Sequence, residues 1–216
     1  MTKYLGAGGA AALASAMLLT IGGSGQALAQ QVNNLPVVQA VVRTATGTPQ
    51  TAPASVAPGS SEAVAREASW LQRAGWPLYA LVDKFSAGAP LTDEANCIAV
   101  AVYHEARGES LEGQLAVAKV IMNRAASGKY PTSWCGVVKQ PWQFSFVNPR
   151  TGYMPSVDQA SAAWRKALGV TRLAIANAVP SVSNDCLWYH ADYVAPSWGR
   201  RLTRVDKIGA HIFYRS

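Results

Sequence analysis

Charge is scarce in this chain: Asp, Glu, Lys and Arg make up 14% of its 216 residues, against 50% hydrophobic. Such a composition excludes a wholly disordered protein, which would be charge-rich and poor in apolar side chains. Acidic residues are the rarer sign, 12 against 19 basic, for a net charge of +7. That balance suits an acidic partner, although nucleic acid, anionic lipid and an anionic wall polymer satisfy it equally. Cysteine is limited to Cys97, Cys135 and Cys186, with no CxxC spacing, so a thiolate zinc site is not expected. Histidine is limited to His104, His190 and His211, scattered singly among aromatic neighbours. Such residues are more often packing groups than ligands, so no metal and no cofactor is expected. No internal repeat is present, and beyond the N-terminal stretch nothing apolar is long enough to span a bilayer.

What is present begins with a leader. Lys3 follows the initiator, Leu5 to Ile21 is small and apolar, and Ala27-Leu28-Ala29 places small residues where signal peptidase reads. Residues 1–29 are therefore expected to be a signal peptide, cleaved before Gln30, giving an exported periplasmic or wall-associated product without stable membrane insertion. Export makes nucleic acid a poor partner and favours one disulfide, with the pairing open among three cysteines. Residues 30–61 are mostly Gln, Val, Ala, Thr, Pro, Gly and Ser with Arg43 the only charge, which reads as a flexible linker.

The spacing of Val64, Ala68 and Leu71, then of Leu78, Leu81, Val82 and Phe85, predicts two short helices within a helical appendage at 62–90. A main domain follows over 91–216. Thr92 caps a helix with the stripe Ile98, Ala101, Val102, Glu105, ended by Arg107-Gly108. A second helix, about Leu111 to Ala126, is apolar almost all round and is expected at the centre. A third is expected from a capping box at Ser156–Gln159 to Val179. Strands or loops are expected at Gln143–Val147, Leu187–Tyr193 and His211–Tyr214, and the run Arg200, Arg201, Arg204, Lys207 reads as a solvated face.

Glu105 is the most informative residue. It continues an apolar stripe, so its carboxyl turns inward, and it sits in the last turn, where the helix dipole opposes ionisation. Burial acts in the same direction, and a carboxylic acid kept protonated near neutrality suits a general acid for a glycosidic oxygen. A plainer reading pairs Glu105 with Arg107 or Arg124. His104-Glu105 starts like the zinc-peptidase HExxH, but Gly108 stands where the second His is needed. Cys97 and His104 are roughly 10 Å apart along one helix, too far for a thiol–imidazole pair. The aromatics Tyr130, Trp134, Trp142, Phe144, Tyr153, Trp188, Tyr189, Tyr193 and Trp198 fall in loops or strands, where flat faces suit sugar rings as well as a core.

The run Cys97-Ile-Ala-Val-Ala-Val-Tyr-His-Glu105-Ala-Arg-Gly-Glu109-Ser-Leu-Glu-Gly113-Gln114, continuing to Asn123-Arg124, resembles the SleB/CwlJ-like cell wall hydrolase family typified by spore cortex-lytic enzymes. Tyr130-Pro131, Cys135-Gly136-Val137-Val138, Gln143-Phe144-Ser145, Tyr189-His190, Pro196-Ser-Trp198 and Gly209-Ala-His211-Ile-Phe-Tyr214 follow in family order, over about residues 93–215. The resemblance implies a lysozyme-like fold, mainly helical α+β with a small β element. It implies cleavage of peptidoglycan glycan strands between N-acetylmuramic acid and N-acetylglucosamine. Glu105 would be the catalytic acid, and Gln143, Phe144, Ser145, Tyr189, His190 and Trp198 the substrate-binding residues. It favours a Cys97–Cys135 pair, leaving Cys186 free. Family members often carry two cysteines around the Gln-Phe-Ser motif. Trp142 and Phe146 stand there instead, so that bridge is missing.

A glycosidase normally uses two carboxyl groups. The candidates for a second are Glu109, Glu112, Asp185 and Asp192; if none serves, one acid must do both jobs. That is lytic transglycosylation, the leading expectation. The alternatives are muramidase-type hydrolysis with a second carboxylate and a non-catalytic peptidoglycan-binding module. No residue points to a regulatory protein partner.

Overall fold

The computed structural model describes residues 59–216. The expected signal peptide (1–29) and nearly all of the expected linker (30–61) lie outside the described residues. Helices α1 (Ser61–Arg73), α2 (Leu78–Ser86), α3 (Asp93–Ala106), α4 (Leu111–Ala126), α5 (Trp134–Lys139) and α6 (Ala162–Ile175) precede a small sheet. Its strands are β1 (Cys186–Ala191), β2 (Thr203–Ile208) and β3 (His211–Arg215), with a 3-10 turn at Ser197–Arg201 between the first two. The sheet is antiparallel in the order β1-β3-β2. The mainly helical α+β class expected from the sequence is the class observed.

Helix starts are set by short polar side chains. The hydroxyls of Ser60, Thr92, Ser110, Ser133 and Ser161 each accept a backbone N–H three residues on, at the starts of α1, α3, α4, α5 and α6. α4 is buried all round because it lies between two layers. Val117, Ala118 and Ile121 face the main helical core, while Ala116 and Val120 join Val182, Cys186 and Phe213 in a smaller core beneath the sheet. α1 and α2 share the main core, contributing Val64, Ala68, Leu71, Leu81, Val82 and Phe85.

α2 and α6 approach closely at Gly169, where an added Cβ would clash with the Val82 carbonyl oxygen. One turn on, the Arg172 guanidinium donates to the carbonyls of Phe85, Ser86 and Ala89 at 2.9, 3.0 and 2.8 Å. These are groups that the end of α2 would otherwise leave unpaired, and bonds to a charged donor contribute about 1.5–3 kcal/mol each. A disulfide joins Cys97 of α3 to Cys135 of α5, closing a separation of 38 residues. Cys186 is free and buried, and burial pushes its thiol up to about 11.

The start of α6 and the strand β2 differ from the sequence reading, each for a local reason. α6 starts after Ser161 rather than at Ser156, because the Asp158 carboxylate accepts the Ala160 N–H and so forms a turn first. Gln143–Val147, expected as strand or loop, is a pair of turns, with Gln143 N–H bonded to Gln140 O and Val147 N–H to Phe144 O, both at 3.2 Å. Trp142 enters them with a left-handed φ of 68°. Of the basic run, Arg204 and Lys207 lie in β2, a strand not expected there, while all four residues of the run are exposed as a solvated face would be; this edge strand carries no apolar alternation to announce it.

Gly169→Ala should destabilise the fold by about 1–3 kcal/mol, read as a lowered urea midpoint, because backbone rather than a flexible side chain blocks the methyl. Replacing Cys97 and Cys135 together by Ala should cost about 4 kcal/mol on the chain-entropy estimate for this loop length. Denaturant titration with and without the bridge measures it.

Candidate active site

Glu105 owes its position to α3. Ile98, Ala101 and Val102 on the same stripe are fully buried, so the last turn carries the Glu105 side chain inward, where it is half-buried. Burial pushes its carboxyl above the usual carboxylate range, and the positive charge of Arg124 opposes that shift without cancelling it. Among the described residues Glu105 takes part in no ion pair within 4 Å. The simple pairing with Arg107 or Arg124 is therefore not what the structure holds. Arg107 lies instead over the Tyr103 ring, 5.0 Å from its centroid.

Arg124 is a buried cation at the far end of α4, 5% exposed. Its Nε donates to the Leu187 carbonyl at 2.8 Å, while Asn123 donates to Ser183 and Cys186 carbonyls at 2.8 and 3.0 Å. The β1–β3 register shifts between Cys186 and Trp188, and that irregularity leaves β1 carbonyls to accept from α4. The Arg124 guanidinium stands 5.1 Å from the Tyr130 ring centroid and 5.9 Å from that of Tyr189. Its Nη1 is buried without a hydrogen-bond partner, and so is the phenol oxygen of Tyr189. Burial first, and the Glu105 charge second, push the Tyr189 phenol up. Glu105, Arg124 and Tyr189 thus converge from α3, α4 and β1.

Glu109 is committed elsewhere. Its Oε2 accepts the Ala210 N–H at 2.8 Å, and its Oε1 lies 3.9 Å from His211 Nδ1. It pins the β2–β3 turn to the α3–α4 connection. A Cβ on Gly209, whose φ is 59°, would collide with that same carboxylate. Its helix-to-hairpin role is invisible in sequence, because the partner is a backbone N–H 101 residues away.

The Gln143-Phe144-Ser145 loop is held against the same end of α3. Phe146 stacks on His104 at 4.9 Å between centroids, and His104 Nε2 lies 3.3 Å from the Pro155 carbonyl, to which it can only donate. Burial holds His104 below its usual value, consistent with a neutral ring. Phe144 is 2% exposed and belongs to the main core, so its side chain anchors the loop instead of facing a ligand. Gln143 is half-buried and Ser145 exposed.

Strand alternation separates the remaining expected residues. Tyr189 pairs with Phe213 and Ala191 with His211, so Tyr189, Phe213 and His211 share the face toward α4. His190 lies on the opposite face with Tyr214 and Trp198, at centroid distances of 5.3 and 5.5 Å. His190 Nδ1 donates to the Ala191 carbonyl at 2.8 Å, so in the neutral ring Nε2 accepts from the Tyr214 hydroxyl at 2.9 Å. Both nitrogens are satisfied internally. The structure brings Tyr189 to Glu105 and sets His190 and Trp198 behind the sheet. The three histidines do not converge, and among the described residues no group of three or more His, Cys, Asp or Glu could hold a metal ion.

A cavity of about 540 Å³ opens among Val64, Phe85, Leu91, Thr92, Trp134 and Arg172. It borders the start of α3, roughly 18 Å along the axis from Glu105 at ~1.5 Å per residue, and has no bearing on the acid.

The chain is similar to several known proteins. A family described as Cell Wall Hydrolase matches residues 108–214, starting just past the end of α3. The spore cortex-lytic enzyme of Bacillus subtilis (strain 168) is 36% identical over 126 residues, 56% of this chain and 37% of that protein. The spore cortex-lytic enzyme of Bacillus cereus is 31% identical over 121 residues, 56% of this chain and 44% of that one. The chain thus spans less than half the length of these relatives. Among solved structures, the catalytic domain of the germination-specific lytic transglycosylase SleB from Bacillus anthracis is 31% identical. That match covers 60% of this chain and 99% of that domain, with a TM-score of 0.47. The catalytic domain of the Bacillus cereus SleB protein is 30% identical, covering 60% and 96%, with a TM-score of 0.46. With a relative at this identity matched along almost its whole length, the chain belongs to the cell wall hydrolase family.

Proposed function

We propose that this protein cuts the glycan strands of peptidoglycan between N-acetylmuramic acid and N-acetylglucosamine as a lytic transglycosylase, with Glu105 as its single catalytic acid and base. The observation that carries the reading is the state of the carboxylates. Glu105 is half-buried, raised and free of ion pairs, whereas the four candidates for a second carboxylate are exposed or occupied. Glu109 holds the Ala210 N–H, Asp185 is bonded to Ser183 and Arg215, and Asp192 is paired with Lys207 at 2.8 Å. Glu112 is exposed in the first turn of α4, where it complements the helix dipole.

The reaction balances with one group. The Glu105 O–H protonates the glycosidic oxygen as the muramyl C1–O bond breaks, and the glucosamine end leaves as an alcohol. The muramyl C6 hydroxyl then attacks C1, closing an anhydro ring, and its proton returns to the Glu105 carboxylate. Water is not consumed. Gln143, Ser145 and Tyr189 are proposed to line the glycan-binding side, with Phe144 fixing their loop and His190 and Trp198 bracing β1 from behind. The substrate lies outside the cytoplasm, which accords with residues 1–29 acting as a signal peptide and 30–61 as a linker to the ordered part.

Glu105→Gln should bind purified peptidoglycan as the wild type does and release soluble fragments at least a hundredfold more slowly, within the range of general-acid contributions. Undiminished release by the variant would remove Glu105 from the mechanism, and binding without release by the wild type would favour a binding module. A second test needs no substrate. The Glu105 carboxyl titrates higher folded than unfolded, so as pH rises the unfolded state ionises first and folding stability falls across that window. The Gln variant lacks that loss. Its melting temperature minus that of wild type should therefore grow from about pH 4 to about pH 8.

A further inference from the structure

Two buried polar groups within electrostatic reach of the Glu105 carboxyl make no hydrogen bond in the resting structure. Arg124 Nη1 and the Tyr189 hydroxyl are both enclosed by protein and unpartnered, although a buried unsatisfied donor is costly and natural folds rarely keep one. Neither is loosely held. Arg124 is fixed through Nε on the Leu187 carbonyl and by the rings of Tyr130 and Tyr189. Tyr189 is fixed by a stacked Phe213 at 5.7 Å and an edge-on His211 at 5.2 Å. Two rigid, idle donors at one place are arranged for an acceptor that is absent while Glu105 keeps its proton.

We propose that Arg124 and Tyr189 are positioning residues that receive the Glu105 carboxylate once its proton has been given to the glycosidic oxygen. Arg124 offers Nη1 and Tyr189 its phenol hydrogen. The inference rests on Glu105 being the acid, and it adds how one carboxyl alternates between two roles. Without these donors the buried carboxylate would recapture the proton it had just released; with them it persists until the muramyl hydroxyl returns one.

The other charged or titratable groups nearby are directed elsewhere. On α3, His104 faces Pro155 and Phe146, and Arg107 covers Tyr103. From the α3–α4 connection Glu109 holds Ala210, and from β3 His211 borders Glu109 and Tyr189. Tyr130 presents its ring face to Arg124. His211 is held below its usual value by burial, so near neutrality it adds no charge to compete with Arg124.

Tyr189→Phe tests this, because it removes one oxygen and keeps the ring. A phenol that serves packing only would leave the titration of Glu105 where it was. The proposal expects three results together. Thermal stability is unchanged or higher, since an unpartnered buried hydroxyl is lost. The Glu105 carboxyl, followed by carbon NMR in protein labelled at glutamate carboxyls, titrates at higher pH than in wild type. Turnover of soluble glycan strands falls about tenfold or more, with its alkaline limb displaced upward, because the carboxylate has lost a donor. A Glu105 midpoint that is unmoved or lower in Tyr189→Phe overturns the proposal, whatever the activity. The NMR arm reads Glu105 without substrate, whereas activity surviving in Glu105→Gln would refute the acid assignment itself, so the two failures are distinguishable.

Discussion

Arg124 is a full positive charge inside the protein with no carboxylate in ion-pair contact among the described residues, and the arrangement of the site depends on that separation. Had the guanidinium reached Glu105 directly, the pair would have pinned the carboxyl in its ionised form and left no proton to give. Held back by the Leu187 carbonyl and two aromatic rings, it lowers the cost of ionising Glu105 without abolishing it. Desolvation wins over attraction, and the acid stays protonated to higher pH than an exposed glutamate. The cost of burying Arg124 is met by one carbonyl and by ring faces, which accept a cation without carrying a formal charge.

The scaffold serves that separation. α4 stands between helical core and sheet, so Asn123 and Arg124 at its end meet the irregular start of β1. α3, locked by its disulfide to α5 and by packing on all sides, delivers Glu105 from the other direction. Glu109 closes the arrangement by holding the β2–β3 turn, which keeps Phe213 and His211 against Tyr189. The loop of Gln143 and Ser145 is attached by aromatic stacking of Phe146 on His104.

Much of this was legible in the residues. Period 3.6 placed Glu105 on the buried stripe of α3, and the all-apolar α4 announced a central helix. The disulfide came only from resemblance, since three cysteines leave three pairings. Glu109 was legible as a carboxylate but not as an anchor, because its partner is a backbone N–H on a distant turn. Arg124 was legible only as a possible counter-ion. Its separation from Glu105 follows from a strand irregularity that no side-chain pattern encodes. β2 escaped because an exposed edge strand needs no apolar alternation, and the resemblance named His190 and Trp198 together with Tyr189 without indicating that strand alternation sets them on opposite faces.

The central claim is that one carboxyl completes the reaction and no water is activated. The most direct measurement is mass spectrometry of fragments released from purified peptidoglycan in water enriched with oxygen-18. The account predicts muramyl ends in the anhydro form, lighter by one water and carrying no label. Reducing muramyl ends with one oxygen-18 would contradict it, because they would require a second group to activate water at C1.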